Sequence, residues 1–299
     1  MGLFFCALLA LAANVIPFPI PLPFFNERPR AEQADEEQRV SWRYDYAEAT
    51  RLARERRKPL VVFFYARGAN AARDAFESKA LTRQLIGRHA DRYVWAKLPL
   101  DAQITVDGRS QRLLDNPAFV HMYGRQGLAI IDYADPQSPN FGYVVSQFPF
   151  KPGKYLTAAG LSVVLDLPTG SLTQRTMIYA VRVHPDRPRS SDGEFHGVLA
   201  GEAESHSALQ ANIQSQGHHS WETRFHRINA RLASHGGARE VVAESWGGEE
   251  LVDACVECVH CWRQSDGHWS AVSGSHPVFG FDIRRGLNGV WYATGLFAN

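Results

Sequence analysis

At 299 residues, 45% of them hydrophobic and 21% charged, the chain is long enough to bury two cores of ordinary size and has the composition of a globular protein. Its 32 basic and 31 acidic side chains nearly cancel, which excludes a global field drawing it to nucleic acid or to an anionic membrane. Four cysteines over this length give no sign of a disulfide-stapled scaffold, and no flavin, nicotinamide or haem motif is present.

Residues 1–25 begin with the apolar run Leu3-Phe4-Phe5-Cys6-Ala7-Leu8-Leu9, then small residues, then Pro17, Pro19, Pro21 and Pro23 among Phe and Ile. This reads as an export signal or an N-terminal anchor, and so as an exported protein: periplasmic, extracellular or membrane-anchored. Residues 26–40 are charged and polar, the pattern of a solvated linker. A first domain, 41–168, follows with alternating signals: a helix over Trp42–Arg57 stopped by Pro59, a buried strand at Leu60–Tyr65, and a helix over Asn70–Arg88. A strand at Tyr93–Leu98, a helix near Gln111–His121, and strands at Leu128–Asp132 and Tyr143–Ser146 complete it. Alternation of this kind predicts an α/β layered sheet.

Pro168 and Gly170 mark the boundary to a second domain, 171–299. Helices are expected at Leu172–His184, Gly193–Gln216, Trp221–Leu232 and Glu249–Gln264, with a strand near Glu240–Glu244. Two closing strands run Val278–Arg284 and Gly289–Phe297, with Asn288-Gly289 supplying the turn. Cys255, Cys258 and Cys261 form C-x-x-C-x-x-C, but on a helix the outer two stand about 9 Å apart along the axis, too far for one metal. They read as a buried helix face. His89, His121, His226 and Arg224 read as surface or capping groups, and His206, on an apolar stripe with Leu199, Ala203, Leu209 and Ile213, as a core histidine.

The order W-x-x-D-Y-x-E-A, then Lys58-Pro59, a hydrophobic strand and a small-residue turn opening a helix resembles the thioredoxin-like proteins. The resemblance implies a thioredoxin-like α/β domain whose turn, Tyr65-Ala66-Arg67-Gly68-Ala69-Asn70, carries no cysteine. Ala66 and Ala69 stand in this degenerate turn, and without a thiolate there is no dithiol–disulfide chemistry. Arg67 and Asn70 at the helix start suggest an anion site; a degenerate loop kept for structure is the alternative.

From residue 195 onward, the patches Glu204-Ser205-His206, Gly217-His218-His219, Ala243-Glu244-Ser245 and Trp262-Arg263-Gln264-Ser265-Asp266-Gly267-His268 resemble the CAP superfamily (cysteine-rich secretory, antigen 5 and pathogenesis-related proteins), its bacterial branch especially. That resemblance implies a CAP-like α-β-α sandwich and a cleft built from His219 or its neighbour His218, Glu244 and His268. Ser245 stands where relatives carry Asn, and a second glutamate has no clear match.

Two imidazoles and a carboxylate suit a divalent metal such as zinc, leaving a position for water or ligand. They also suit a general base, with Ser220 and Ser265 as nearby hydroxyls, and they suit a purely structural hydrogen-bonded triad. Trp246 and Trp269 adjoin the proposed cleft residues as wall candidates. The reading is therefore an exported binding module for a metal or a small, envelope-derived ligand, with the first domain as scaffold. A hydrolase and a structural interaction protein are the alternatives, and partners fall among envelope components, lipid or protein.

Overall fold

The computed structural model describes residues 40–232 and 236–299; the stretch expected as an export signal or anchor and nearly all of the expected linker lie outside them. The fold is α/β, with two main sheets. In chain order the first part runs β1 (Trp42–Arg43), α1 (Tyr46–Arg56), β2 (Leu60–Tyr65), α2 (Ala71–Ala75), α3 (Arg83–His89) and β3 (Val94–Pro99). The hairpin β4 (Gln103–Val106) and β5 (Arg109–Arg112) follows, then β6 (Gly127–Ile131), β7 (Val144–Pro149) and α4 (Ala158–Leu165). The sheet order is β1-β3-β2-β6-β7; β1 and β2 flank β3 in parallel, and β6 and β7 add antiparallel.

Several elements depart from expectation for local reasons. Trp42 and Arg43 pair with β3 as a short strand, because Asp45 caps α1 by accepting from the Glu48 amide and starts the helix later. The helix expected over Asn70–Arg88 breaks after a π-turn at Phe76–Ala80, and Thr82 caps a new helix. Asp107 and Gly108, both at positive φ, turn the β4–β5 hairpin. Pro117 limits the region near 111–121 to 3-10 turns.

The second part comprises α5 (Leu172–Arg182), β8 (Glu194–Phe195), α6 (Gly197–Ile213), α7 (Trp221–Arg231), β9 (Arg239–Glu244), α8 (Leu251–Arg263), α9 (Asp266–Ser273), β10 (Val278–Arg285) and β11 (Trp291–Ala298). Its sheet runs β8-β10-β11-β9. Strand alternation sends Val278, Leu296 and Ala298 toward α6 and α7, and Phe279, Phe281, Ile283, Ala293 and Phe297 toward α5 and α8. Helices thus cover both faces.

α5 carries a full Ser171–Gln174 capping box and is buried at every residue from Gln174 to Val181. A helix apolar or enclosed all round must be covered on every side. Tyr179 packs on Phe148 of the first sheet at 4.6 Å between ring centroids, and the same hydrophobic cluster continues to Phe281 of the second sheet and Trp262 of α8. The predicted boundary at Pro168 and Gly170 separates the sheets in sequence, yet the core runs across it. Among the described residues no helix is long and apolar enough to cross a membrane.

Candidate functional site

A polar cluster collects at the outer edge of β9. His206 comes from α6, His218 and His219 from the α6–α7 connection, Arg224 from α7, Glu240 from β9, His268 from α9 and Thr294 from β11. Glu240 is its hub. The side chain is 1% exposed, its Oε1 accepts from His218 Nδ1 at 2.9 Å, Arg224 holds both oxygens, and His206 Nδ1 stands 3.7 Å from Oε2. His206 and Gln210 also reach Thr294 Oγ1, at 3.2 and 3.0 Å.

The Glu240 bond has a consequence for His218. With Nδ1–H donating to the carboxylate, the ring keeps its lone pair on Nε2, and that atom faces His268 Nε2 at 3.4 Å. Burial, then the Arg224 charge, lowers the pKa of His218; burial, then His218, lowers that of His268. Both rings are consequently held neutral near pH 7. In His206 burial is the main cause and Arg224 the next, and the pKa is pushed down to about 3. Its Nε2 is buried without a hydrogen-bond partner.

The residues expected from sequence divide. His268 and His218 meet; His219 turns back, its Nε2 3.1 Å from the Ser215 carbonyl, and its ring lies 6.0 Å from His206. Glu244 shares a strand face with Glu240, but four residues along β9 is roughly 13 Å. It is exposed, and its carbonyl accepts from Cys261 Sγ at 3.8 Å. Ser265 precedes α9 and accepts from the Trp269 amide through its own carbonyl, and Trp246 is 72% exposed. Trp269 packs against His184 with the rings tilted and 5.1 Å apart, and Arg263 lies over its ring. Arg224, expected at the surface, is buried because Glu240 draws it inward. His89 is likewise buried, facing Asp166 at 3.6 Å, and His121 is half-buried against Trp291.

Sequence reasoning missed Glu240 and the inward turn of Arg224. The available signal was strand alternation, which puts two carboxylates, Glu240 and Glu244, on one face. Among the described residues no three His, Cys, Asp or Glu side chains are arranged to hold a metal ion together. Cys255 and Cys258 are fully buried on α8, where burial raises both thiols well above their ordinary pKa. In the first part Arg67 pairs with Asp101 at 3.1 Å, and Asn70 spends its side-chain oxygen on the Arg73 amide and Gln126. In the turn itself Ala69 is exposed, and the Ala66 carbonyl accepts from Arg73 Nη1 at 3.4 Å.

No protein-family model matches the chain, and no curated protein matches it. Among solved structures, an outer surface protein of Borrelia burgdorferi is similar to part of it, with a TM-score of 0.30 and 20% identity over 36% of this chain and 77% of that one.

Proposed function

We propose that the protein is an exported binding module that holds a divalent metal ion such as zinc between His218 and His268, with Glu240 orienting the first ligand. One observation carries this reading, the 3.4 Å separation of the two Nε2 atoms. Two imidazoles bound tetrahedrally at about 2.0–2.1 Å place their nitrogens about 3.4 Å apart. Without a cation, His268 Nε2–H can donate to the His218 Nε2 lone pair across this gap; a divalent ion binds there with His268 in its other neutral tautomer, so that both Nε2 lone pairs face it. The carboxylate on the far nitrogen of His218 fixes the tautomer and raises ligand basicity. With two protein ligands, the remaining positions belong to water or to a small, envelope-derived ligand.

The helices on both faces of the second sheet support the CAP-like reading. The strand–turn–helix of β2 and α2 supports a thioredoxin-like scaffold, without thiols in the turn. Export rests on residues 1–25 of the sequence.

The test is zinc titration of the full chain by calorimetry, alongside a His218→Ala, His268→Ala double variant and Glu240→Gln. Saturable binding is expected, lost in the double variant and weakened about 10–100-fold in Glu240→Gln. Equal binding by wild type and the double variant overturns the site. If zinc binds, turnover of ester or peptide substrates by the loaded protein would favour a hydrolase over a binding module.

A further inference from the structure

A cavity of about 140 Å³ lies where the first sheet meets α5, lined among others by Arg175, Asp132, Tyr93, Ile130, Val145 and Leu167. It shares no lining residue with the histidine cluster. Its floor carries two buried groups of opposite charge, and the hydrogen bonds of each go to neutral partners.

Arg175 donates from Nε to Ser146 Oγ at 3.0 Å, from Nη1 to the carbonyls of Leu167 and Pro168 at 3.1 and 2.6 Å, and from Nη2 to the Val164 carbonyl at 3.3 Å. A guanidinium has five N–H groups, so one on Nη2 is left over. Asp132, directly after β6, accepts from the Ala134 amide at 2.9 Å through Oδ1, which leaves Oδ2 for the cavity. Tyr93 gives its hydroxyl hydrogen to the Leu165 carbonyl at 2.6 Å and keeps acceptor capacity. Buried charges are expensive unless paired, and neutral acceptors compensate a charge only in part. Arg92 also lines the cavity, but its charge is met by Asp166 at 2.8 Å, and Ile130, Val145 and Leu167 supply apolar wall.

We infer that this cavity binds a small zwitterion of the amino-acid type, its carboxylate on the free N–H of Arg175 and its ammonium on Asp132 and the Tyr93 oxygen. A simple anion would satisfy Arg175 and leave Asp132 facing like charge; a simple ammonium would do the reverse. Drug-sized ligands occupy about 300–1,000 Å³, so a volume of this order selects glycine, alanine or serine over larger members.

The experiment is calorimetry and thermal unfolding of the full chain with glycine and alanine, against acetate, ethylammonium and phenylalanine. Wild type should be stabilised saturably by glycine or alanine and by none of the other three. Asp132→Asn, which keeps the Ala134 bond, should lose affinity about ten-fold or more. Val145→Phe should abolish binding by filling the space. Acetate binding as tightly as alanine and indifferent to Asp132→Asn would make this an anion site and overturn the inference. Absence of binding by every probe would leave a cavity holding water only, which overturns it too. If Val145→Phe does not fold, the Asp132→Asn comparison decides.

Discussion

His206 and Asp282 are buried titratable groups whose effects on stability run in opposite directions. Burial, aided by Arg224, pushes His206 down to about 3, against an ordinary value of 6.5. Between those values the unfolded chain binds a proton that the folded chain refuses, so stability is full above pH 6.5 and declines as pH falls toward 3. Asp282 lies on β10, bonded by Thr173 Oγ1 at 2.5 Å and Arg284 Nε at 2.7 Å, yet burial outweighs both and raises it from 3.8 to about 6. Here the folded chain keeps a proton that the unfolded chain has lost, so this contribution is present below pH 3.8 and disappears as pH rises through 6. Between pH 4 and 6 the two slopes oppose, each at most about 1.4 kcal/mol per pH unit. Relative to wild type, Asp282→Asn should make stability fall more steeply on acidification across this window, and His206→Gln should make it fall less or rise. Urea unfolding at stepped pH measures both. Variant curves parallel to wild type would sink these assignments.

At the scale of elements, two glycines separate close approach from mere flexibility. A Cβ on Gly280 of β10 would stand 2.3 Å from the Ala200 amide nitrogen and 2.5 Å from the Leu199 carbonyl carbon, both backbone atoms of α6. Gly201, inside that same helix, meets nothing within 4 Å. Gly280→Ala should therefore lose roughly 1–3 kcal/mol or more, since the helix must lift off the sheet. Gly201→Ala should gain about 0.5–1 kcal/mol by removing backbone freedom from the unfolded chain. Denaturant midpoints decide, and similar shifts for the two would refute the packing argument. Sequence made some elements plain and hid others for the same kind of reason. The unbroken run of β2 and the Asn288-Gly289 turn between β10 and β11 are short-range signals, complete within a few residues. β1 has two residues and exists only through pairing with β3, so no periodicity announces it. The α2–α3 break at Leu81 and Thr82 lies within a stretch of even helical propensity. At the site, the histidines were visible as chemistry-bearing residues. That His218 rather than His219 meets His268, with Glu240 rather than Glu244 as the carboxylate, depends on where the α6–α7 connection lands along β9, which only the tertiary fold decides.

The whole molecule turns on α5, which serves as the layer between the two sheets. Its Arg175 reaches Ser146 of β7, its Tyr179 ring packs on Phe148, and its Thr173 bonds Asp282 of β10. Ion pairs join the same halves, Arg125 to Glu250 at 2.6 Å and Lys151 to Asp253, but half-exposed pairs of this kind contribute about 0–1 kcal/mol each. The apolar contact must therefore carry the coupling. A chain cut at the Pro168–Gly170 connection would leave one side of α5 bare in the second fragment and the β7 face bare in the first. Intact, the two sheets should unfold as one cooperative unit despite their separate hydrogen-bond networks. Tyr179→Ala, removing a fully buried ring, should lose about 3–5 kcal/mol. Hydrogen exchange read by mass spectrometry locates that loss: protection in peptides covering β2 and in peptides covering β11 should fall by the same amount. A fall confined to one sheet would mean that the halves open independently, that α5 belongs to only one of them, and that the shared core is contact without coupling.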